Sequence, residues 1–288
     1  MKTYNFIACA DLHLRDSIPH ARTDDYWKAQ EKKFRFLIDT ANEKNCDIYC
    51  AGDFFHRAKS SSFLEAWIIE QLQDLKNEGL KFHVIPGQHD LPNHNIELLE
   101  HSSLWVLRQA EVIDLSSTPF EQPFFFEDHG IMLIHKMIHQ DIPIPGVQGS
   151  TKAIKLLKDN PEARIIISGD NHRPFIEYTN NKRGLINCGS MMRMSADQID
   201  YYPAFYYIEM KDTIIVHTIP YPIEKDVIDR SYIEIEKERD NRVESFVNRF
   251  GENDAEMDLN FEKNLENFFR SQKIRKPVQE ICWEALEK

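Results

Sequence analysis

Apolar runs that end on an aspartate or a histidine limit what this chain can fold into more than any other feature. YNFIACA at 4–10 leads into Asp11 and His13, CDIYCAG at 46–52 into Asp53 and His56, and LKFHVIPG at 80–87 into Gln88, His89 and Asp90. GIMLIH at 130–135 closes on His135, and ARIIISG at 163–169 is followed by Asp170 and His172. These runs read as buried strands. Amphipathic stretches separate the first three, at 24–44 and at 62–78, the second closed by Gly79 as a helix C-cap. Strand and helix alternating at this spacing predict an α/β sheet with helices outside it. Its strand C-termini share one rim, where sites are normally built.

The second half is richer in strands. FFF at 124–126, RGLINCG at 183–189, AFYYIEM at 204–210 and TIIVHTI at 213–219 all read as strands, with a helix expected at about 150–158. From residue 223 the character changes to long charged helical segments, so we expect one domain over 1–222 and a helical tail over 223–288. A chain of 288 residues with 42% hydrophobic composition buries enough core for that arrangement. No apolar run approaches the roughly 20 residues of a membrane span, and the opening MKTYNFIACA is too short for a signal peptide. Five cysteines without a CxxC pair are expected to be reduced thiols of a cytoplasmic protein.

A net charge of −12 disfavours non-specific binding of nucleic acid by the whole surface. It leaves room for a metal site, because carboxylates gathered around divalent cations count as negative in the sequence while the loaded site attracts phosphate. Each cluster is weak alone: a lone DLH is usually a turn, and a histidine at a strand end is usually a core residue. Together they mark a metal centre, and their mixed oxygen and nitrogen donors suit Mn, Fe or Zn better than Ca or Mg.

Asp11-Leu12-His13, Gly52-Asp53, Gly87-Gln88-His89-Asp90, His135 and Gly169-Asp170-Asn171-His172 resemble the signature of the calcineurin-like metallophosphoesterases. That pattern runs D-x-H, GD, GNH(D/E), a histidine after a strand, and GHxH. ADLHL, AGDFFHRAKSS, VIPGQHD and CGSMMRMS look like blocks of the SbcD-type nucleases, the catalytic subunits of a double-strand-break repair complex. The resemblance spans roughly residues 4–222. It implies a β-sandwich flanked by helices and two divalent ions, with Mn2+ expected and Mg2+ as the alternative. One ion would be held by Asp11, His13, Asp53 and His172, the other by Asp53, Gln88, His135 and Asp170. His89 would protonate the leaving oxygen and His56 would position the phosphate. Arg57 and Arg193 would contact substrate, with Lys59 beside them.

The implied function is a DNA exo/endonuclease that acts in recombination and repair with an SMC-like ATPase of the SbcC type, or with a second copy of itself. The core motif equally admits a small-molecule phosphodiesterase or phosphatase, or a weakly active structural subunit. Two departures fall on the second ion: Gln88 stands where the family has Asn, and Asp170 where it has His. The tail, with Phe246, Val247 and Phe250 and then Leu265, Phe268 and Phe269, is expected to cap the domain or dock on the ATPase. Its brevity fits a compact, virus-encoded version working in the host cytoplasm.

Overall fold

Alternate residues of the first strand face different partners, and this decides the layering. The computed structural model describes residues 4–143, 149–229, 231, 268–276 and 278–279. In β1 (Tyr4–Cys9), Ile7 and Cys9 pack into one core cluster, whereas Phe6 and Ala8 pack into another. Both faces are therefore covered, which is why the run is apolar without alternation. The first cluster joins β1 to α1 (Tyr26–Lys44) and α2 (Ser62–Asn77) through Phe34, Leu37, Leu64 and Ile68.

A six-stranded sheet has the order β13-β12-β1-β2-β3-β4. Here β2 is Asp47–Cys50, β3 Phe82–Val84, β4 Asp114–Leu115, β12 Ala204–Met210 and β13 Ile214–Pro220. β1 to β4 run parallel, and β12 and β13 are antiparallel to their neighbours. The second core cluster lies between this sheet and a five-stranded one, ordered β10-β11-β9-β6-β5. Its strands are β5 (Phe124–Phe126), β6 (Ile131–His135), β9 (Ile165–Gly169), β10 (Phe175–Tyr178) and β11 (Gly184–Asn187). A third cluster covers its far side, where Met132, Ile134, Ile166 and Leu185 pack against Leu156 and Leu157 of α4 (Ala153–Asp159). The result is the sandwich flanked by helices that the family resemblance implies.

Local chemistry sets the helix ends. The Asp25 side chain accepts from Lys28 N at the start of α1, and Ser61 accepts from Leu64 N at the start of α2. After α2, Gly79 at φ +77° donates to Lys76 O and Leu80 N donates to Leu75 O, a Schellman closure. Sequence periodicity missed the short elements: α3 (Ser103–Gln109), β4, β10, and the pair β7 (Ile138–His139) and β8 (Thr151–Lys152). Segments of two to seven residues hold too little pattern to show a period. Cys9, Cys46, Cys50 and Cys188 are free and buried, and Cys282 lies outside the described residues. Among the described residues, no helix is long and apolar enough to cross a membrane.

The chain divides into units Met1–Tyr232 and Ile233–Lys288, so the first extends ten residues past the expected boundary at 222. The reason is electrostatic. Glu224 places a carboxylate oxygen 3.2 Å from the ammonium of Lys33, whose side chain is fully buried, and 3.8 Å from Arg22. Arg22 also binds Asp24 through two hydrogen bonds of 2.7 and 2.6 Å, and donates to Arg193 O. Backbone bonds from Thr23 N to Val227 O and from Asp229 N to Ala21 O fasten the same segment. The tail segments around Phe246, Val247, Phe250 and Leu265 lie outside the described residues. Within the second unit, Phe269 is buried and Arg270 and Lys273 are exposed.

Glu224→Ala leaves Lys33 and Arg22 buried beside one carboxylate fewer. It should lower the unfolding free energy by about 3–5 kcal/mol, read as a shift of the urea midpoint at unchanged slope. A chain ending at Ile223 should lose the same contacts and stability, whereas one ending at Tyr232 should keep them. Equal midpoints for all of these proteins would show that the buried charges do not hold this segment.

Candidate metal centre

The strand ends of both sheets meet in one place, and the backbone there is strained. Asp11 follows β1, Asp53 follows β2 and Asp170 follows β9, and all three have positive φ (50°, 50° and 81°), as does His13 at 45°. Left-handed backbone costs a residue with a Cβ about 1–3 kcal/mol and concentrates where function demands it. The turns are interlocked: Asp11 N donates to Gly52 O, and His13 N to Asp53 O, each at 3.0 Å. Asp170 N donates to both carboxylate oxygens of Asp11, at 3.0 and 3.1 Å.

Three donor sets result, each with ligand atoms within 4.8 Å of one another: Asp11, His13 and His172; Asp11, Asp53 and His135; and His13, His56 and His89. Asp11 belongs to the first two, and Asp53 of the second also reaches His13 of the first. Asp53 Oδ2 lies 3.7 Å from His13 Nε2 and 3.4 Å from His135 Nε2. Its Oδ1 accepts from His89 N at 2.9 Å. Asp53 Oδ2 and His135 Nε2 are both buried without a hydrogen bond. Buried polar atoms are rarely left this way, and a shared divalent ion fits the pair. His135 is oriented for it, because its Nδ1 bonds Ala51 O at 2.7 Å and leaves Nε2 facing inward. His13 Nε2 and His172 Nε2 face each other 3.0 Å apart.

The electrostatics agree. Burial alone would favour neutral Asp53, but His135 and His13 outweigh it and hold the carboxyl well below the usual range. Burial works against charge on His135, yet Asp53 and Asp11 raise it to about 10. Burial lowers His13 well below its ordinary value and raises Asp11 to about 6. Burial, and then Arg15, lowers His56 to about 4. Asp53 and His135 thus each favour the other's charged form.

Glycines let these parts approach. A Cβ on Gly87 would stand 2.2 Å from Asp53 Oδ1, and one on Gly52, at φ +90°, would stand 2.4 Å from His135 Nδ1. Both motif glycines are therefore fixed by the carboxylate and imidazole they adjoin.

Gln88 and Asp170 touch. Gln88 Nε2 donates to Asp170 Oδ1 at 2.8 Å, so the two departures from the family pattern form a pair. His89 stacks on His56 with centroids 5.7 Å apart, and its Nδ1 lies 3.2 Å from His56 O. Arg57 is exposed on a small cleft that it shares with Arg15, His56 and Lys59. Arg193 is placed elsewhere: it is 6% exposed, and its guanidinium donates to Ile199 O and Glu224 O. The expectation that Arg193 contacts substrate is corrected on that ground.

Sequence reasoning gave Asp90 no role of its own and overlooked Asn187 and Arg15. Asp90 accepts from Gly87 N, Phe54 N and Phe55 N at 2.9, 3.1 and 2.8 Å, tying the turn after β3 to the turn that carries Asp53. Asn187 donates to Asn171 O and Arg173 O and so shapes the loop that carries His172. Arg15 enters the cationic cleft. Only Asp90 carried a usable signal, since an acidic residue in a tight turn commonly accepts backbone amides.

The family model described as Calcineurin-like phosphoesterase matches residues 4–187. The uncharacterized metallophosphoesterase YhaO of Bacillus subtilis (strain 168) is 30% identical over 142 residues, which is 47% of this chain and 33% of that protein. The chain thus spans about a third of that relative. A conserved uncharacterized protein of Streptococcus pneumoniae TIGR4, a predicted phosphoesterase, is 13% identical with a TM-score of 0.39, over 80% of this chain and 97% of its own. Vacuolar Protein Sorting 29 of Cryptosporidium parvum is 15% identical with a TM-score of 0.41, over 77% and 99%.

Asp53→Ala should strip bound metal from the purified protein, whereas His13→Ala should lose only part of it. Elemental analysis after dialysis reads this directly, and equal content in wild type and Asp53→Ala would overturn the shared-ligand role. Because Gln88 and Asp170 are hydrogen-bonded, Gln88→Asn, Asp170→His and the double variant should be non-additive in metal affinity by about 0.5–3 kcal/mol. Both single variants should bind more weakly than wild type and the double should recover. Strict additivity would show that the pair does not act as a unit.

Proposed function

The chain belongs to the calcineurin-like phosphoesterase family, and on that premise we propose that it hydrolyses the phosphodiester backbone of DNA. In this reading it is the nuclease subunit of a recombination and repair assembly with an SMC-like ATPase. One observation carries the reading from phosphoester to nucleic acid. Arg15, Arg57 and Lys59 outnumber one carboxylate, Asp16, in a cleft that shares His56 with one donor set, although the whole chain carries a net charge of −12. Local cations of this kind attract a phosphate beyond the one being cut, which a monoester substrate does not possess. The FHRAKSS block that supplies Arg57 and Lys59 is also one of those resembling the SbcD-type subunits. The oxygen donors of Gln88 and Asp170 favour Mn2+ or Mg2+ over softer ions.

Two divalent ions held by Asp11, His13, Asp53, His135 and His172, with Gln88 and Asp170 beside them, would activate water and neutralise the phosphate. The remaining work falls to the protein. Asp53 keeps the donor sets together, and Asp90 keeps Asp53 in place. His56 and the neighbouring cations orient the phosphate. His89, whose Nδ1 is held by His56 O, delivers a proton to the leaving oxygen from its other nitrogen. The tail is the docking segment for the ATPase. A cytoplasmic location, in a cell or in the host of a virus, goes with this role.

The deciding assay is purified protein with Mn2+ on linear DNA and on a simple phosphodiester, beside an EDTA control. Hydrolysis of both, abolished by EDTA and restored better by Mn2+ than by Mg2+, is expected. Full activity in EDTA would overturn the metal mechanism, and cleavage of the simple ester alone would move the reading to a small-molecule phosphodiesterase. His89→Ala should retain metal and DNA affinity while turnover falls about 10²–10⁴-fold. Metal loss in that variant would instead assign His89 to the donor set it forms with His13 and His56.

A further inference from the structure

The third donor set differs in kind from the other two. His13, His56 and His89 bring one imidazole nitrogen each within 4.8 Å of one another. Among the described residues, the other two sets contain carboxylates and this one contains none. Its rings already stand close to the spacing that a shared ion imposes. The centroids of His13 and His56 are 5.7 Å apart, those of His13 and His89 5.0 Å, and those of His56 and His89 5.7 Å. Three imidazoles bound tetrahedrally to one ion at about 2.0–2.1 Å put their ring centres roughly 5 Å apart.

The nitrogens of these rings are also incompletely used. Nδ1 of His13 and Nδ1 of His56 are both buried without a hydrogen bond. His89 Nδ1 lies 3.2 Å from His56 O, which leaves its Nε2 for another partner. Buried polar atoms are seldom left unmet, and two in one histidine cluster point to a missing partner that accepts lone pairs. Asp53, 3.7 Å from His13 Nε2, offsets the Arg15 charge that faces His56. A cation is therefore admissible there.

Donors of nitrogen alone select a different ion from the one that suits Asp11, Asp53 and Asp170. Imidazole suits Zn2+, whereas carboxylate oxygens suit Mn2+ and Mg2+. Zn2+ is also stable with three protein ligands and a fourth position open to water. We propose that His13, His56 and His89 form an inhibitory Zn2+ site. His13 belongs to the first donor set as well, so an ion held by the three histidines takes it from Asp11 and His172. The same ion occupies the two imidazoles that orient the phosphate and protonate the leaving oxygen. The inhibition rests on the phosphodiesterase reading, whereas the binding does not.

The test is calorimetric titration of the full-length, metal-free protein with Zn2+ and, separately, with Mn2+. Zn2+ also enters the sets that hold carboxylates, so wild type is compared with His56→Ala and His89→Ala, which spare the ligands of those sets. Both variants should weaken Zn2+ binding at one site by at least about tenfold, the least that losing even an outer partner of a metal ligand costs. Both should keep wild-type Mn2+ binding, which shows in addition that they fold. Unchanged Zn2+ binding in either variant, or an equal loss of Mn2+ binding, would overturn the site. Hydrolysis of methyl p-nitrophenyl phosphate by the wild type in Mn2+ should then fall at least tenfold as Zn2+ fills the histidine site. Histidine-dependent Zn2+ binding without that fall would overturn the inhibitory role. A protein that binds Zn2+ through these residues but hydrolyses no phosphodiester rejects the phosphodiesterase, and the inhibition with it, while the Zn2+ site stands.

Discussion

The carboxylate of Asp53 is the point on which the rest of the centre depends. One oxygen is held by the amide of His89, and the other stands between His13 and His135 without a hydrogen bond. Four structural features converge to keep it so. Gly87 leaves space where any side chain would collide, Asp90 bolts the neighbouring turn by three amides, Gly52 clears His135, and the backbone of Asp53 itself is left-handed. A buried carboxylate oxygen that has charged neighbours but no hydrogen bond is poorly satisfied in isolation. Its persistence is the physical signature of a site built for a cation.

Much of this was legible in the sequence because strand burial and strand termination are both local. A strand covered on both faces reads as an uninterrupted apolar run, and the residue that ends it is the first that faces the rim. Asp11, His13, Asp53, His135 and His172 were found this way, and the structure brings them together. Arg193 was misplaced because its block shows only that a loop passes near Asp11: Met191 N does bond Asp11 O. The direction of a long side chain depends on what else is buried nearby, and here that is Glu224, thirty-one residues on. The same long-range pairing hid the end of the domain, since Lys33 on α1 gives no sign of its partner.

Charge is distributed against the average. The chain is acidic overall, yet Arg15, Arg57 and Lys59 cluster at one end of the donor sets while Asp141, Asp170 and Asp197 line the other. Over distances shorter than the roughly 8–10 Å screening length of physiological salt, such neighbours outweigh the net charge. A phosphate is therefore attracted at one edge of the centre although the chain as a whole is acidic.

The donors also come from different sheets. Asp11, His13 and Asp53 follow strands of the six-stranded sheet, whereas His135 ends a strand of the five-stranded one and Asp170 and His172 follow another. An ion coordinated by both is a mechanical fastener across the sandwich. It would close the long chain loops between Asp53 and His135 and between Asp11 and His172, as a cross-link would, while remaining removable. The layers that the apolar core merely stacks would be riveted at one edge, so the same ion that prepares the chemistry would stiffen the frame that holds it.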